Sequence, residues 1–246
     1  MSMKKTTLVT LVTMSAALTT FLATNTIANA AEVGSVDSQS QVQFTPQDSS
    51  TTNPPVNPLD PTQPLDPGTT NPGTTGPLSI DYVSDFDFGI QEISGETKTY
   101  NAKLDSVKVD GEDVDVPNNV QVSDNRGNNS GWHLTVAENG QLQDGTNRSL
   151  TGAQIAITKG TASTKPGTGI DAPTTASAIT LNPDGTSAMV MNADADQGMG
   201  QWVDSFGANT TEAADAVQLT VPGSSEKYAD TAYTTTLTWT LSDTPE

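Results

Sequence analysis

Short runs of alternating apolar and polar residues, separated by turn-forming residues, begin at Leu78 and continue to the end of the chain. A period of two places successive side chains on opposite faces of a β-strand. Residues 106–109 and 114–116 alternate on either side of the turn-forming sequence Asp110-Gly111-Glu112-Asp113, which predicts a β-hairpin. The pattern therefore favours strands from the start of this region.

The same alternation recurs along residues 77–246, whereas helical periodicity is confined to a short stretch at 211–216. Further strands are predicted at residues 120–122, 132–136, 155–157, 179–181, 189–191, 217–221 and 237–241. Many short strands with regular turn signals are typical of a sandwich or barrel. We therefore expect one all-β, β-sandwich-like domain over residues 77–246.

The first 30 residues have the pattern of an export signal. Lys4 and Lys5 precede an apolar run at residues 8–23, and Ala28-Asn29-Ala30 forms a small-residue cleavage pattern. The run is interrupted by Thr and Ser and is shorter than the ~20 residues of a membrane span. The sequence predicts a signal peptide at residues 1–30 and a mature chain that starts at Ala31.

Residues 31–76 are rich in Pro, Thr and Asn and contain a repeated Pro-Leu-Asp-Pro, at 58–61 and 64–67. A segment with so few apolar residues is not expected to offset the entropy cost of becoming ordered. Proline-rich chain is also extended and semi-rigid. These features predict a disordered linker that acts as a spacer, with a docking motif as the alternative.

The last predicted strand has two clearly different faces. Tyr233, Leu237, Trp239 and Leu241 share one face with Thr235, and threonines occupy the opposite face. A shorter version occurs upstream, where Trp132, Leu134 and Val136 share a face. The chain thus contains two Trp-x-Leu elements, one of them at its C-terminal end.

These two elements resemble the WxL-domain family of cell-surface proteins of Gram-positive bacteria. The distal family motif is matched at the following positions: Tyr233, Leu237, Thr238, Trp239, Thr240, Leu241 and Pro245. Residues 76–89 and 198–202 also resemble family features. The resemblance implies a non-catalytic protein attached non-covalently to the wall, largely through peptidoglycan, and assembled with other WxL proteins and with WxL-interacting membrane-anchored partners.

The residues themselves leave two roles open for the Trp-x-Leu elements, which are wall binding and core packing. A Trp in an alternating strand is more often part of the core, so we expect Trp132 and Trp239 to be buried and the last strand to be central. Trp202 lies in a glycine-rich stretch. It is a candidate ligand contact that could stack on sugar, with core packing as the alternative.

The formal net charge of −19 excludes nucleic acid as an expected partner, because phosphate binding requires a basic surface. His133 is the single histidine, there is no Cys, and no pair of carboxylates is singled out for catalysis. We therefore expect no enzyme and no cofactor. The sortase pattern Leu-Pro-x-Thr-Gly is absent, so a wall-attached form would be held non-covalently.

Two acidic clusters are candidate calcium sites, Asp81 with Asp85 and Asp87, and Asp194 with Asp196. Neither follows the EF-hand pattern, and we expect solvated charges and no metal. A second function class stays open beside wall attachment. It is a host-facing adhesin or carbohydrate-binding module that contacts host matrix protein or glycan and is held at the wall by a partner.

Overall fold

The computed structural model describes residues 33–66, 68 and 72–246. The predicted signal peptide and its cleavage site lie outside the described residues. The chain divides into two units, Met1–Val42 and Gln43–Glu246. In the first unit, residues 33–42 have no regular secondary structure and their side chains are exposed.

The second unit is nearly all β, as the sequence predicts. Its strands are β1 (Val56–Asn57), β2 (Asp60–Pro64), β3 (Leu78–Val83), β4 (Lys98–Asn101), β5 (Asp105–Val109), β6 (Glu112–Val116), β7 (Asn119–Asp124), β8 (Trp132–Glu138), β9 (Gln154–Thr158), β10 (Gly160–Ser163), β11 (Thr174–Thr175), β12 (Ala178–Thr180), β13 (Ala188–Ala193), β14 (Gly200–Phe206), β15 (Val217–Val221) and β16 (Leu237–Ser242). One short helix, α1 (Thr210–Ala213), is present among the described residues. No helix in the described part of the chain is long and apolar enough to cross a membrane.

Three antiparallel four-stranded sheets surround one apolar core. Sheet I has the order β10-β14-β7-β3, sheet II the order β11-β13-β8-β16, and sheet III the order β12-β9-β15-β4. Each contributes the apolar face of its alternating strands, for example Val122 in sheet I, Leu134 in sheet II and Ile157 in sheet III. Burial of these faces is the main stabilising contribution to the fold.

The predicted hairpin is formed by β5 and β6. Asp110 and Gly111 both have positive φ, at 51° and 88°, which is the backbone conformation of the tight type I′ turn. The inward side chains Val107 and Val116 pack with Leu65 in a second, smaller core. Leu65 belongs to the segment that the sequence assigns to the linker.

The expectation of a disordered linker does not hold for residues 47–66, here called the strap. The strap contains the hairpin β1–β2 and lies against the outer face of sheet I, where Asn53 contacts Ser79 of β3 and Val56 contacts Gln121 of β7. The backbone N–H of Val56 donates to Gln121 Oε1, and Gln121 Nε2 donates back to the Val56 carbonyl, both at 2.8 Å. Hydrogen bonds to a buried polar sheet face thus order a segment that has few apolar side chains.

The last strand is also placed differently from the expectation. Within the part of the chain that the structure describes, β16 is the edge strand of sheet II and its one strand partner is β8. Its inner face, including Leu237, Trp239 and Leu241, is half-buried, and Thr238 and Thr240 on the outer face are exposed. The alternation is as predicted, but the strand is not central to the core.

Candidate functional site

The two Trp-x-Leu elements form one structural unit. In the register between β8 and β16, Leu241 lies opposite Leu134 and Trp239 lies opposite Val136. Trp132 is fully buried, whereas Trp239 is half-buried and packs against the edge of the core. The upstream Trp therefore belongs to the core, and the distal Trp lies where the core reaches the surface.

The glycine-rich stretch at residues 198–202 packs against Trp132. The Trp132 indole N–H donates to the Gly198 carbonyl at 3.1 Å. A Cβ added at Gly198 would lie 2.8 Å from Trp132 Nε1, and the φ of this glycine is +68°. The close distance and the positive φ both exclude a side chain at this position, so the glycine is required for the burial of Trp132.

The end of the distal motif is tied to the beginning of β8. A Cβ at Gly131 would lie 2.8 Å from Pro245 Cγ. Arg126 donates to the Asp243 carbonyl at 3.1 Å, and His133 Nδ1 lies 2.6 Å from the Thr244 carbonyl oxygen. The backbone carbonyls of Asp243 and Thr244 thus fasten the C-terminal end of the edge strand to the sheet, and Pro245 packs close to Gly131.

Trp202 is only 3% exposed and lies in the core, and its indole N–H donates to the Met199 carbonyl at 3.1 Å. Its ring is not available for stacking on a ligand. The candidate contact predicted at Trp202 therefore does not hold. Sequence alone could not decide this, because a glycine-rich setting is typical of exposed loops and of close core packing alike.

A groove with a volume of about 780 Å³ opens beside β16. Aromatic rings from separate parts of the chain line it: Phe86, Phe88, Tyr100, Tyr228, Tyr233 and Trp239. We call it the aromatic groove. Apolar residues from sheet III and its neighbourhood, including Leu150, Ile155 and Leu219, also line it. Cavities of this size, lined by aromatic rings and a few polar groups, are typical of ligand sites.

One wall of the aromatic groove is the segment 84–93, which has no regular secondary structure. Phe86 packs edge-on against the core residue Phe206, with 6.2 Å between ring centroids. Asp87 accepts from Lys103 Nζ and from the Gly89 N–H, both at 2.7 Å. The hydrogen bond from Lys103 lowers the pKa of Asp87. These contacts hold the segment 84–93 in place although it is not a strand.

The segment from Tyr228 to Leu237 also lines the aromatic groove. The Tyr228 N–H donates to the Tyr233 hydroxyl at 3.2 Å. The guanidinium carbon of Arg148 lies 3.7 Å from the centre of the Tyr228 ring, and Arg148 is paired with Asp144 at 2.6 Å. The two tyrosines are therefore preorganised, which reduces the entropy cost of binding a ligand.

The polar groups of the aromatic groove are mainly acceptors and hydroxyls. The lining includes the carboxylates Asp85 and Glu92 and the threonines at 231 and 234–236. The hydroxyls of Thr231 and Thr235 donate to protein carbonyls, so they are available to a ligand as acceptors. Lys227 also lines the groove, and its Nζ donates to the Pro222 and Ser225 carbonyls, at 2.9 and 3.0 Å. The groove thus combines aromatic faces with hydrogen-bonding groups that suit a hydroxyl-rich ligand.

The candidate calcium cluster around Asp81 does not converge. Asp81 lies on the outer face of sheet I, where it accepts from Ser79 at 2.7 Å and from Gln201 at 3.0 Å. Burial raises its pKa despite these hydrogen bonds. Asp85 and Asp87 line the aromatic groove instead. Within the described residues, no group of three or more His, Cys, Asp or Glu side chains is arranged to hold a metal ion.

The structure gathers some of the predicted motif residues and separates others. Tyr233, Leu237 and Trp239 line the aromatic groove, whereas Trp132 and Leu134 are buried in the core. The sequence pattern did not predict Tyr100 and Tyr228 as site residues. Tyr228 precedes Tyr233 by five residues, outside the strand pattern, so no periodic signal marked it.

An all-β fold with an aromatic groove beside its terminal strand is the architecture of a binding module. The family model described as WxL domain surface cell wall-binding matches residues 31–245. The chain therefore belongs to this family and is a cell-wall-binding surface protein. Comparison with curated protein sequences and with solved structures gave no match.

Proposed function

We propose that the aromatic groove binds the glycan of peptidoglycan and that this contact attaches the protein to the wall without a covalent bond. The observation that carries the proposal is the set of preorganised aromatic rings at Tyr228, Tyr233 and Trp239. Aromatic faces stack on the apolar faces of sugar rings, and the surrounding hydroxyls and carboxylates satisfy sugar hydroxyl groups.

Charge favours peptidoglycan over the anionic polymers of a Gram-positive wall. The chain has a formal net charge of −19, and the polar rim of the groove includes Asp85 and Glu92. Like charges brought together at an interface weaken association. A phosphate-rich polymer is therefore a poor ligand, and a glycan of low charge is a good one.

The proposed binding involves no catalytic step. A glycosidase needs two carboxyl groups flanking the scissile bond, one of them protonated. Asp87 is paired with Lys103, and this hydrogen bond lowers its pKa, which disfavours the protonated form. We also propose that the exported protein assembles at the surface with other WxL proteins and with membrane-anchored partners, in keeping with the family resemblance.

A pelleting assay tests the groove directly. Purified residues 31–246 are mixed with sacculi that either retain their anionic polymers or have been stripped of them by acid. We expect binding to both preparations, and at least equal binding to the stripped one. Protein that stays in the supernatant with both preparations would contradict the proposal, and binding only to unstripped sacculi would assign the ligand to the anionic polymers.

Two variants make the assay specific. Tyr228→Ala removes a groove ring that is 41% exposed, and we expect binding to weaken about 10- to 100-fold, the usual effect of losing an aromatic anchor. Thr240→Ala, on the exposed outer face of β16, is the control and should bind normally. Retained sacculus binding by Tyr228→Ala, with binding to host matrix glycans lost, would favour the adhesin function.

A further inference from the structure

Along one side of the edge strand β16, the backbone groups have no partner among the described residues. The Asn139 N–H donates to the Thr236 carbonyl at 2.9 Å, and the register continues with Thr238 opposite Ala137. In an antiparallel pair the hydrogen-bonded positions alternate, so the N–H and C=O groups of Leu237, Trp239 and Leu241 point away from β8. Among the described residues no further strand pairs with β16.

A second groove, of about 550 Å³, lies along this free edge. Trp239 and Leu241 line it from β16, and Leu78 and Ile80 line it from β3. We call it the seam groove. β3 is the edge strand of sheet I, so the seam groove lies between the edges of two sheets. It offers both unpaired backbone groups and apolar side chains, which are the two requirements for adding a strand.

The N-terminal part of the chain contains a segment suited to this position. Residues 41–46 read Gln-Val-Gln-Phe-Thr-Pro, in which apolar and polar residues alternate as in a strand. The segment has no regular secondary structure, and Val42 and Phe44 are 73% and 87% exposed. Pro46 would end an added strand, because proline lacks an N–H donor. We call residues 41–46 the arm.

We propose that the arm of one copy adds as a strand to the free edge of β16 in a second copy, and so links copies of this chain. Val42 and Phe44 then enter the seam groove beside Trp239 and Leu241. Gln41, Gln43 and Thr45 continue the polar outer face formed by Thr238 and Thr240. This inference rests on the proposed assembly function and names its partner.

Charge favours the arm as the contacting segment between copies. Two copies that each carry a net charge of −19 repel one another. Residues 38–47 contain no charged side chain, so they approach the second copy with little added repulsion. The interaction should therefore strengthen as salt screens the remaining charges.

Sedimentation velocity of residues 31–246 tests the inference. We expect oligomers whose proportion rises with protein concentration and with salt. The variant Val42→Asp/Phe44→Asp should sediment as a monomer over the same range. The control Val33→Asp/Val36→Asp changes two residues that are 101% and 96% exposed but lie outside the alternating arm, and it should still form oligomers. Both pairs are exposed, so neither variant should alter the fold.

Crosslinking locates the contact, because the chain contains no Cys. Gln43→Cys and Thr240→Cys chains of different mass are mixed with a short bis-maleimide. We expect a heterodimer that contains one chain of each kind, and none when Thr99→Cys on β4 replaces Thr240→Cys. If a doubly substituted Gln43→Cys/Thr240→Cys chain forms only a monomeric internal crosslink, the arm closes on its own chain and the proposal fails.

The other outcomes separate this inference from the proposed function. A wild-type chain that stays monomeric throughout would overturn the inference, while sacculus pelleting of the same sample would still test wall binding. If the variant Val42→Asp/Phe44→Asp still forms oligomers, the chain self-assembles without the arm, and the proposed role of the arm is overturned. Pelleting of a monomeric Val42→Asp/Phe44→Asp variant would show that wall binding and assembly use separate surfaces.

Discussion

Leu134 and Leu241, the leucines of the two Trp-x-Leu elements, lie directly opposite one another on β8 and β16. The first is fully buried and the second is half-buried. Their tryptophans extend this difference, since Trp132 is enclosed in the core and Trp239 faces two grooves. One element therefore lies inside the core, and the other lies where the core reaches the surface.

The first prediction is that the two tryptophans contribute unequally to stability. Trp132→Ala should lower the free energy of unfolding by about 3 to 5 kcal/mol, as for other fully buried large aromatics. Trp239→Ala should lower it by about 1 to 2 kcal/mol, because its ring is only half-buried. Urea denaturation followed by far-UV circular dichroism measures both values. Equal losses would show that Trp239 is a core residue like Trp132.

Gly198 gives the second prediction, since its backbone touches Trp132. Gly198→Ala should destabilise the protein by more than about 2 kcal/mol, because the new Cβ would lie 2.6 Å from Ala193 Cβ. Gly185→Ala is the matched control, because Gly185 also has a positive φ but has no atom within 4 Å of an added Cβ. It should cost only the backbone strain of about 1 to 2 kcal/mol. Similar thermal shifts for both variants would refute the close packing.

The strap gives the third prediction. At a protein concentration at which the chain is monomeric, deleting residues 31–46 should leave the thermal midpoint unchanged, since residues 33–46 are exposed in the structure. Deleting residues 31–66 should lower the free energy of unfolding by about 2 to 4 kcal/mol, through loss of Leu65 from its core and of the hydrogen bonds between Val56 and Gln121. Calorimetry of both deletions checks this, and equal midpoints would mean that the strap is only a spacer.

Asp204 gives the fourth prediction, which concerns pH. Its side chain lies on the inner face of β14 with Trp202 and Phe206, and Oδ1 has no hydrogen-bond partner among the described residues. Burial raises its pKa to about 8, opposed only by a backbone hydrogen bond from Thr161. Between the unfolded pKa of about 4 and the folded pKa, the folded state holds a proton that the unfolded state has lost.

The stability contributed by protonated Asp204 is therefore complete below about pH 4 and falls as the pH rises toward 8. Asp204→Asn removes this dependence. The free energy of unfolding of Asp204→Asn relative to wild type should rise by several kcal/mol between pH 4 and pH 8, as measured by urea denaturation. Asp37→Asn, which removes an exposed carboxylate, is the control for the lost negative charge. A difference for Asp204→Asn that does not change between pH 4 and pH 8 would show that burial does not raise the pKa of Asp204.

Some of this architecture could be predicted from the sequence because its signals are local. The hairpin β5–β6 and the faces of β8 and β16 follow from a period of two and from the Asp110-Gly111 turn. The position of β16 at a sheet edge could not be predicted in this way. A strand with an apolar and a threonine face has the same pattern in the centre of a sheet and at its edge.

The strap and the aromatic groove depend on contacts between distant residues. Val56 is ordered by Gln121, 65 positions away, and the sequence around Val56 contains no signal that predicts this partner. The groove requires Phe88, Tyr228 and Trp239 to meet, although they lie far apart in the sequence and Tyr228 lies in no recognisable motif. Low apolar content correctly indicates that the strap has little core of its own, but it does not reveal a polar surface elsewhere that binds it.

Iodide quenching of tryptophan fluorescence tests the central claim, that Trp239 is a ligand contact beside a buried Trp132. Trp132 and Trp202 are 0% and 3% exposed, so iodide should quench Trp239 alone in the folded protein. Saturating soluble peptidoglycan fragments should then protect Trp239 and abolish this quenching. In the control variant Thr240→Ala, the fragments should protect Trp239 to the same extent. Quenching of Trp239 that is unchanged at a fragment concentration shown by equilibrium dialysis to saturate the protein would contradict the claim.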